Sequence, residues 1–578
     1  MMVAAACGDD SGSVDGDNDP VNNEGNNDTN NDVNNDVNND QNNDQNNDVN
    51  NDENNAPNNA PNNDGGDTCQ LPQVDEVAGR VATERGYVQG ARDGQVWSWK
   101  GIPFAAPPTG QRRWAAPEPA QCWDDVRNAT EFGPRCVQID VGNGNPGVTG
   151  SEDCLHLNIW SPVDKPDGKA RPVLFYIHGG ANIVGSASQV IIPRTESYTY
   201  SGRHLANRGD AIVVTTQYRL GSMGFLAHDA LDDEQGTSGN YGLMDQIAAL
   251  QWVQDNIEAF GGDPQRVLVF GESAGAINTC MMYASPLASG LFSSALMQSG
   301  LCGVQTEQEA RDFGRQAVEA TPCSDAGDTL QCLRDLDAEE VILAAPGGVG
   351  INADGTATGQ SWGPSVDGFV LPDTPEALIA AGEHNDVPFV IGSNAEEMAS
   401  QSLNRVTLES IEAYETFVRQ ILGPLADRAL ELYPAASDEE ANDAFIQMST
   451  DISFTCPARR IARVASNASD ANVHRYFFSR RPETAQGNSR ASHGIELLYV
   501  FGTMADIPRF TPADEDRALA ETMMDHWLSL AATGAPNTES DPQWPVYDAQ
   551  TDPYLDFDAP LAADENLRAE KCDFWDQL

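Results

Sequence analysis

Lysine is almost missing from this 578-residue chain, which holds only four, at positions 100, 165, 169 and 571, against 88 acidic residues. The formal net charge is −55. Acidic residues so far outnumber the 33 basic ones that a polyphosphate backbone would be repelled, which argues strongly against nucleic acid as a partner. No run approaches the roughly eighteen apolar residues that a membrane-crossing helix needs. Histidine is scarce, with eight copies, so each one in a structured context becomes a candidate for chemistry. The first 67 residues lack Lys, Arg and every aromatic residue and consist largely of Asn-Asn-Asp-x tetrads. Such a segment cannot bury enough apolar area to offset its ordering entropy. Residues 8–68 are therefore expected to form a hydrated spacer, extended by repulsion between regularly spaced Asp side chains. A calcium-binding repeat would need glycines and a spacing of ligands that the tetrads lack.

Those 67 residues hold 16 of the 88 acidic residues and none of the 33 basic ones, so the remainder still carries a net of −39. Acidity with little lysine resembles the surfaces of salt-adapted proteins, where carboxylates hold hydration and repulsion keeps molecules apart.

What the chain does contain is a sharp strand-to-helix signal. The apolar run Arg266-Val-Leu-Val-Phe270 leads into Gly271-Glu272-Ser273-Ala274-Gly275 and then into a helix-like Ala276-Ile-Asn-Thr-Cys-Met-Met282. This is a G-x-S-x-G elbow, in which glycines let the backbone bend far enough to lift a serine hydroxyl above a parallel sheet. Ser273 is the candidate nucleophile. Upstream, the strand-like Pro172-Val-Leu-Phe-Tyr-Ile177 runs into His178-Gly-Gly-Ala181. Small residues there let backbone N–H groups converge on a developing oxyanion, so Gly180 and Ala181 are expected to join Ala274 as donors. Either signal alone is an ordinary Gly-rich turn; the two in this order point to acyl transfer.

A serine of ordinary pKa needs a base and the base needs an orienting carboxylate. His493 stands in Gly487-Asn-Ser-Arg-Ala-Ser-His-Gly494, C-terminal to Ser273. The order nucleophile, acid, histidine places the acid between them, where Pro388-Phe-Val-Ile-Gly392 is followed by Ser393-Asn-Ala-Glu-Glu-Met398. Glu397 is the candidate, with Glu396 as its rival.

With these pieces assembled, the chain resembles the type B carboxylesterase family, the group that includes cholinesterases and bacterial p-nitrobenzyl esterases. The match runs through Gly101-Ile-Pro-Phe-Ala-Ala-Pro-Pro108 with Arg113, Ser151-Glu-Asp-Cys-Leu-His-Leu-Asn158, Tyr218-Arg-Leu-Gly221, Gly239-Asn-Tyr-Gly-Leu-Met-Asp245, Phe260-Gly-Gly-Asp-Pro264, Trp544-Pro-Val-Tyr547 and Cys572-Asp-Phe-Trp575. The resemblance implies an α/β-hydrolase fold over residues 69–578, with a large, mostly parallel central sheet flanked by helices. It also implies a Ser273–Glu397–His493 triad, an oxyanion hole of Gly180, Ala181 and Ala274, and hydrolysis of a small-molecule carboxylic ester without metal or organic cofactor. Glu397 is favoured over Glu396 because the family acid stands last in an Asn-x-Asp/Glu-Glu run; Met398 occupies a position where relatives have Gly. Glu272, beside the nucleophile, and Ser299, in Met297-Gln-Ser-Gly300, match residues that support the site in relatives.

The eleven cysteines are an odd set. The resemblance implies bridges Cys136–Cys154, Cys323–Cys332 and Cys456–Cys572; it leaves Cys69, Cys122, Cys280 and Cys302, for which Cys69 with Cys122 and Cys280 with Cys302 is one of three possible pairings. Such a set belongs to an exported protein rather than a cytosolic one. Cys7 stands apart: Val3-Ala-Ala-Ala-Cys7-Gly8 resembles the end of a bacterial lipoprotein signal peptide, although the six residues before it supply no basic region and no full apolar run. Residues 1–7 are read as that signal remnant, with a lipid on Cys7 as the chain's one membrane contact.

Substrate signals are weaker. Between Cys136 and Cys154 the chain has no aromatic residue, which removes the main support for cation–π recognition of choline. An apparent insertion between Gly185 and Tyr200, including Val190-Ile-Ile-Pro193, borders the mouth of the site or packs on the surface. Three functions are consistent with the motifs: a general carboxylesterase; a narrower lipase, lactonase or carbamate hydrolase; and a non-catalytic binding module, which the presence of the serine, glycines, acid and histidine argues against.

Overall fold

The computed structural model describes residues 69–577 except 141–146, 192–196, 233–235, 349–359, 401–402, 405, 485–486, 509 and 539–541. Cys7 and the spacer expected over 8–68 lie outside the described residues, as does part of the 185–200 insertion.

An eleven-stranded sheet organises the chain. Its strands are β1 (Ala91–Asp93), β2 (Val96–Pro103), β3 (His156–Ser161), β4 (Arg171–Ile177), β5 (Ile212–Thr216), β6 (Gly262–Glu272), β7 (Ser294–Gln298), β8 (Phe389–Asn394), β9 (Val473–Phe478), β10 (Pro553–Phe557) and β11 (Ala562–Glu565). In space they run β11-β10-β9-β8-β7-β6-β4-β5-β3-β2-β1. The seven from β10 across to β5 are mutually parallel, and antiparallel strands close both margins.

The apolar runs that read as strands are buried on both faces, as a parallel sheet between helices requires. In β4, Val173, Phe175 and Ile177 join one core, with Ile212, Val214, Val267 and Val269 from its neighbours. Leu174 and Tyr176 join the other, with Val213, Leu268 and Phe270. The period of two thus feeds two cores at once. Helices Tyr241–Asn256 and Ala274–Ala284 contribute Leu250, Val253 and Met281 to the first face, and Asp514–Thr533 contributes Met523, Trp527 and Leu530 to the second.

The order of strands sets the position of the site. From β4 the chain adds β5 on one side and then β6 on the other, so the winding reverses about β4. A crevice opens beyond the carboxyl ends of the strands where winding reverses, and ligands bind there in open α/β sheets. His178 follows β4 and Ser273 follows β6, at that point.

Among the described residues, five disulfides tie the chain: Cys69–Cys122, Cys136–Cys154, Cys280–Cys302, Cys323–Cys332 and Cys456–Cys572, with Cα separations of 5.0 to 5.7 Å. Cys456–Cys572 fastens a third apolar cluster, built on helices Ile411–Leu422, Ala426–Leu432 and Asp438–Thr450, to the C-terminal helix. Among the described residues, no helix is long and apolar enough to cross a membrane and no group of side chains could hold a metal ion.

Candidate active site

Ser273 sits between β6 and helix Ala274–Ala284 with φ 57° and ψ −123°. A left-handed φ on a residue with a side chain costs on the order of 1–3 kcal/mol and persists only where the surroundings impose it. Here they do. The Ser273 N–H donates to the Gln298 carbonyl on β7 at 2.9 Å, and its own carbonyl accepts from the N–H groups of Ala276 and Ile277 at 3.0 Å each. The flanking glycines have a direct steric reason. A Cβ on Gly275 would lie 2.0 Å from the Ile177 carbonyl oxygen, and one on Gly271 would lie 2.4 Å from the backbone of Gly275. β4 and the turn are too close for any side chain at either place. Ser273 itself remains partly accessible while Glu272 and Ala274 are buried.

The loop after β4 packs against this turn: a Cβ on Gly179 would meet Ser273 Cβ at 3.0 Å. Gly180, with φ 117°, has no room for a Cβ either, since the Val184 carbonyl would be 2.0 Å away. Ile183 and Val184 spend their N–H groups on the Gly180 carbonyl at 3.0 Å each. Among the described residues, the backbone N–H groups of Gly180, Ala181 and Ala274 donate to no protein acceptor. Ala274 is the first residue of its helix, so its N–H also carries the positive end of the helix dipole. His178 is taken up structurally: its ring stacks on Tyr218 at 4.5 Å, and Tyr218 Oη donates to the His178 carbonyl at 2.9 Å.

The structure brings Glu397, rather than Glu396, to His493. Glu397 Oε2 lies 2.7 Å from His493 Nδ1, and Oε1 accepts the Asn394 N–H at 2.7 Å. Glu397 is fully buried. The adjacent Glu396 points the other way, into a bidentate pair with Arg481 at 2.7 Å and a bond from Arg490 at 2.6 Å. Met398, the departure from the family pattern, is accommodated in a short 3-10 turn, Glu397–Ala399, with its N–H on Thr450 Oγ1 at 3.2 Å. Phe454, in a π-helical turn over Asp451–Thr455, packs on the His493 ring with centroids 5.2 Å apart. Such turns inside helices concentrate at functional sites.

The other ring nitrogen, His493 Nε2, lies 3.1 Å from Glu272 Oε1; among the described residues it makes no hydrogen bond to Ser273 Oγ. His493 therefore stands between two carboxylates. Burial works against its cation, but the charges of Glu272 and Glu397 outweigh that and hold its pKa above the ordinary histidine range. Burial, assisted by the charge of Glu397, pushes the Glu272 carboxyl up, against the pull of His493.

Two partners of this site were not identified from sequence. Glu496, fully buried three residues after His493, accepts from Gln298 Nε2 at 3.2 Å and from the side-chain amide of Asn394. Burial and the charges of Glu272 and Glu397 drive its carboxyl upward too. Asn394 thus holds Glu397 through its backbone and Glu496 through its side chain. The signal available was an acid inside the apolar run Ile495-Glu-Leu-Leu-Tyr-Val-Phe501, because an acid among such neighbours must be held by partners. Ser299, with φ 54°, is fully buried; its N–H donates to the Gly392 carbonyl at 2.9 Å, and among the described residues its hydroxyl contacts no polar partner. Its hydroxyl makes no direct bond to His493.

Known proteins share this fold and much of this sequence. A model of the carboxylesterase family matches residues 77–575. The para-nitrobenzyl esterase of Bacillus subtilis (strain 168) is 35% identical over 498 residues, covering 85% of this chain and 97% of that protein. Carboxylesterase 5A of Canis lupus familiaris is 35% identical over 511 residues, covering 82% of this chain and 84% of that protein. Among solved structures, a PNB esterase superposes with a TM-score of 0.72 at 35% identity, covering 86% of this chain and 100% of that one, and a thermophilic PNB esterase with 0.71 at 33% identity, over 86% and 100%.

Proposed function

The chain belongs to the carboxylesterase family and is a carboxylic ester hydrolase, and from that premise we propose that it works by two-step acyl transfer through Ser273, with His493 as base and Glu397 as the carboxylate that orients it. The observation that carries this reading is the strained, accessible Ser273 beside three backbone N–H groups with no protein acceptor. Donors left unspent beside a nucleophile are free to bind a ligand, and an acyl oxyanion is what backbone amides so placed suit.

In the first step Ser273 Oγ bonds to the ester carbonyl carbon, the π pair moves to oxygen, and the hydroxyl proton passes to His493 Nε2. Collapse expels the alcohol with that proton. Water then attacks the acyl-serine by the same route and releases the acid. The base must be the neutral imidazole. Glu272 bears on this directly, because its negative charge beside Nε2 favours the proton on His493 and so sets the pH above which the neutral base appears. The Glu397 carboxylate against Nδ1 selects the tautomer and stabilises the imidazolium as it forms. No step calls for a metal or organic cofactor.

A pH profile checks the electrostatics. The negative charge of Glu272 raises the His493 pKa, so Glu272→Gln removes one support of the imidazolium and lets the neutral base persist to lower pH. The acidic limb of kcat/KM therefore moves to lower pH in this variant. A limb that stays in place, or moves up, contradicts the assignment of His493 as the titrating base beside Glu272. The reading as a whole is tested by a fluorophosphonate probe. It should label one residue, Ser273, and an ester substrate should protect it; labelling elsewhere, or none, overturns the reading.

Residues 69–578 are assigned as the catalytic domain and 8–68 as its spacer. The five disulfides support an exported enzyme, and the Ala-Ala-Ala-Cys7 sequence supports a lipid on Cys7 as its anchor. Metabolic incorporation of an alkynyl fatty acid that Cys7→Ser abolishes is the expected result; equal incorporation in both chains refutes the anchor.

A further inference from the structure

Behind the oxyanion loop lies a reciprocal amide pair for which the reaction scheme has no role. Asn278 Nδ2 donates to Asn182 Oδ1 at 2.9 Å, and Asn182 Nδ2 donates to Asn278 Oδ1 at 3.4 Å. Asn182 is 3% exposed and Asn278 is 0% exposed. Two amides facing each other in a dry setting lock one geometry, because truncating either leaves the other's polar atoms buried and unpaired.

Placement gives the pair a function. Asn278 lies four residues into the helix from Ala274, one turn along the same face. Asn182 directly follows Ala181. The helix therefore carries the Ala274 N–H and one anchor; the loop carries the N–H groups of Gly180 and Ala181 and the matching anchor. Among the described residues, this pair is the only side-chain hydrogen bonding between the 178–188 loop and helix Ala274–Ala284.

Backbone strain shows why the loop needs an anchor. Gly180, Ala181 and Asn182 have φ of 117°, 58° and 58°, three left-handed residues in succession. For the two that carry a Cβ, this conformation costs on the order of 1–2 kcal/mol each. A loop so disposed relaxes unless it is held. Asn182 is held at both ends of its residue: its carbonyl accepts the Gly221 N–H at 2.7 Å, and its side chain is held by Asn278.

We propose that the Asn182–Asn278 pair positions the two halves of the oxyanion hole relative to each other, so that the amides of Gly180 and Ala181 meet the same oxygen as the amide of Ala274. The pair touches no reacting atom. The proposal rests on the acyl-transfer reading of Ser273.

The test uses the full chain with Asn182→Ala, Asn278→Ala and the double variant, each compared with wild type in hydrolysis of a p-nitrophenyl ester and in binding two ketones of one shape. An aryl trifluoromethyl ketone adds the Ser273 hydroxyl, its proton passing to His493, and presents a tetrahedral oxyanion; the corresponding methyl ketone stays trigonal. Each single variant should lower kcat by about tenfold to a hundredfold, the range expected when reacting groups are misplaced by an ångström. KM should stay within about twofold, and trifluoromethyl ketone affinity should fall by the same factor as kcat. Methyl ketone affinity should hold. The double variant should be no worse than the more damaging single one, because both remove the same link.

An unchanged kcat in folded variants overturns the proposal. So does equal weakening of both ketones, which marks general collapse of the site, or single-variant losses that multiply in the double variant. Should an alanine variant not fold, Asn278→Ser takes the same measurements with a smaller polar side chain. Wild-type enzyme that fails to react with a fluorophosphonate at Ser273 sinks the acyl-transfer reading instead, which keeps the two failures apart.

Discussion

Ser273→Ala in the full-length chain should lower kcat for p-nitrophenyl butyrate by about a millionfold, the loss seen when a hydrolase nucleophile is removed. KM should stay within a few-fold, because the amides and the walls of the site remain. The stability of the variant should stay near that of wild type, since alanine occupies the same left-handed position and Ser273 makes no side-chain hydrogen bond among the described residues. Residual turnover measures what the oxyanion donors and binding supply alone. Steady-state kinetics with a thermal melt on the same sample check this, and a folded variant retaining more than about one hundredth of wild-type kcat removes Ser273 from the reaction.

The second large effect belongs to Glu397. Its carboxylate is fully buried, held by the Asn394 N–H and set 2.7 Å from His493 Nδ1. Glu397→Gln keeps the shape and removes the charge. An amide facing Nδ1 can present its own N–H, which favours the tautomer with the proton on Nε2, where the base must be empty. The expected loss is about ten-thousandfold in kcat, by analogy with removing the charge of the acid in serine-protease triads. Glu396→Gln is the control. Its carboxylate is engaged by Arg481 and Arg490 on the far side of the loop, so kcat should stay within about twofold while the melting temperature falls. If Glu396→Gln is the damaging change and Glu397→Gln the mild one, the acid is misassigned.

The contrast between those neighbouring glutamates shows where sequence suffices and where it stops. Gly271 and Gly275 are legible because they stand at fixed short spacing about the serine, although what bars a Cβ at Gly275 is the Ile177 carbonyl of the neighbouring strand β4. The apolar runs before His178, Ser273 and Ser393 are legible because strands buried on both faces must be apolar throughout. The choice of Glu397 over Glu396 needed the resemblance to a family, since residue type and spacing serve both. What separates them physically is the pair of arginines, Arg481 and Arg490, brought in from more than eighty residues away.

Glu496 and Asn394 went unread for the same reason. Their importance lies in whom they meet: Asn394 spans two carboxylates from different segments, and Glu496 is tolerable only because Gln298 and Asn394 reach it. The contact of His493 Nε2 with Glu272 is likewise tertiary, since an acid beside a nucleophile in sequence does not reveal which atom it faces. Asn182 and Asn278 sit just after the two most readable motifs of the chain, yet 96 residues apart, and nothing in either motif announces the other.

The central claim is a covalent acyl group on Ser273, and rapid quench with mass spectrometry observes it directly. Mixing enzyme with excess p-nitrophenyl ester and quenching in acid within the first turnovers should give a chain heavier by one acyl group, mapping to the peptide that carries Ser273 and absent from Ser273→Ala. An acyl group on any other residue, or robust turnover in which the same quench never finds one on Ser273 even for slowly deacylated esters, would contradict the account.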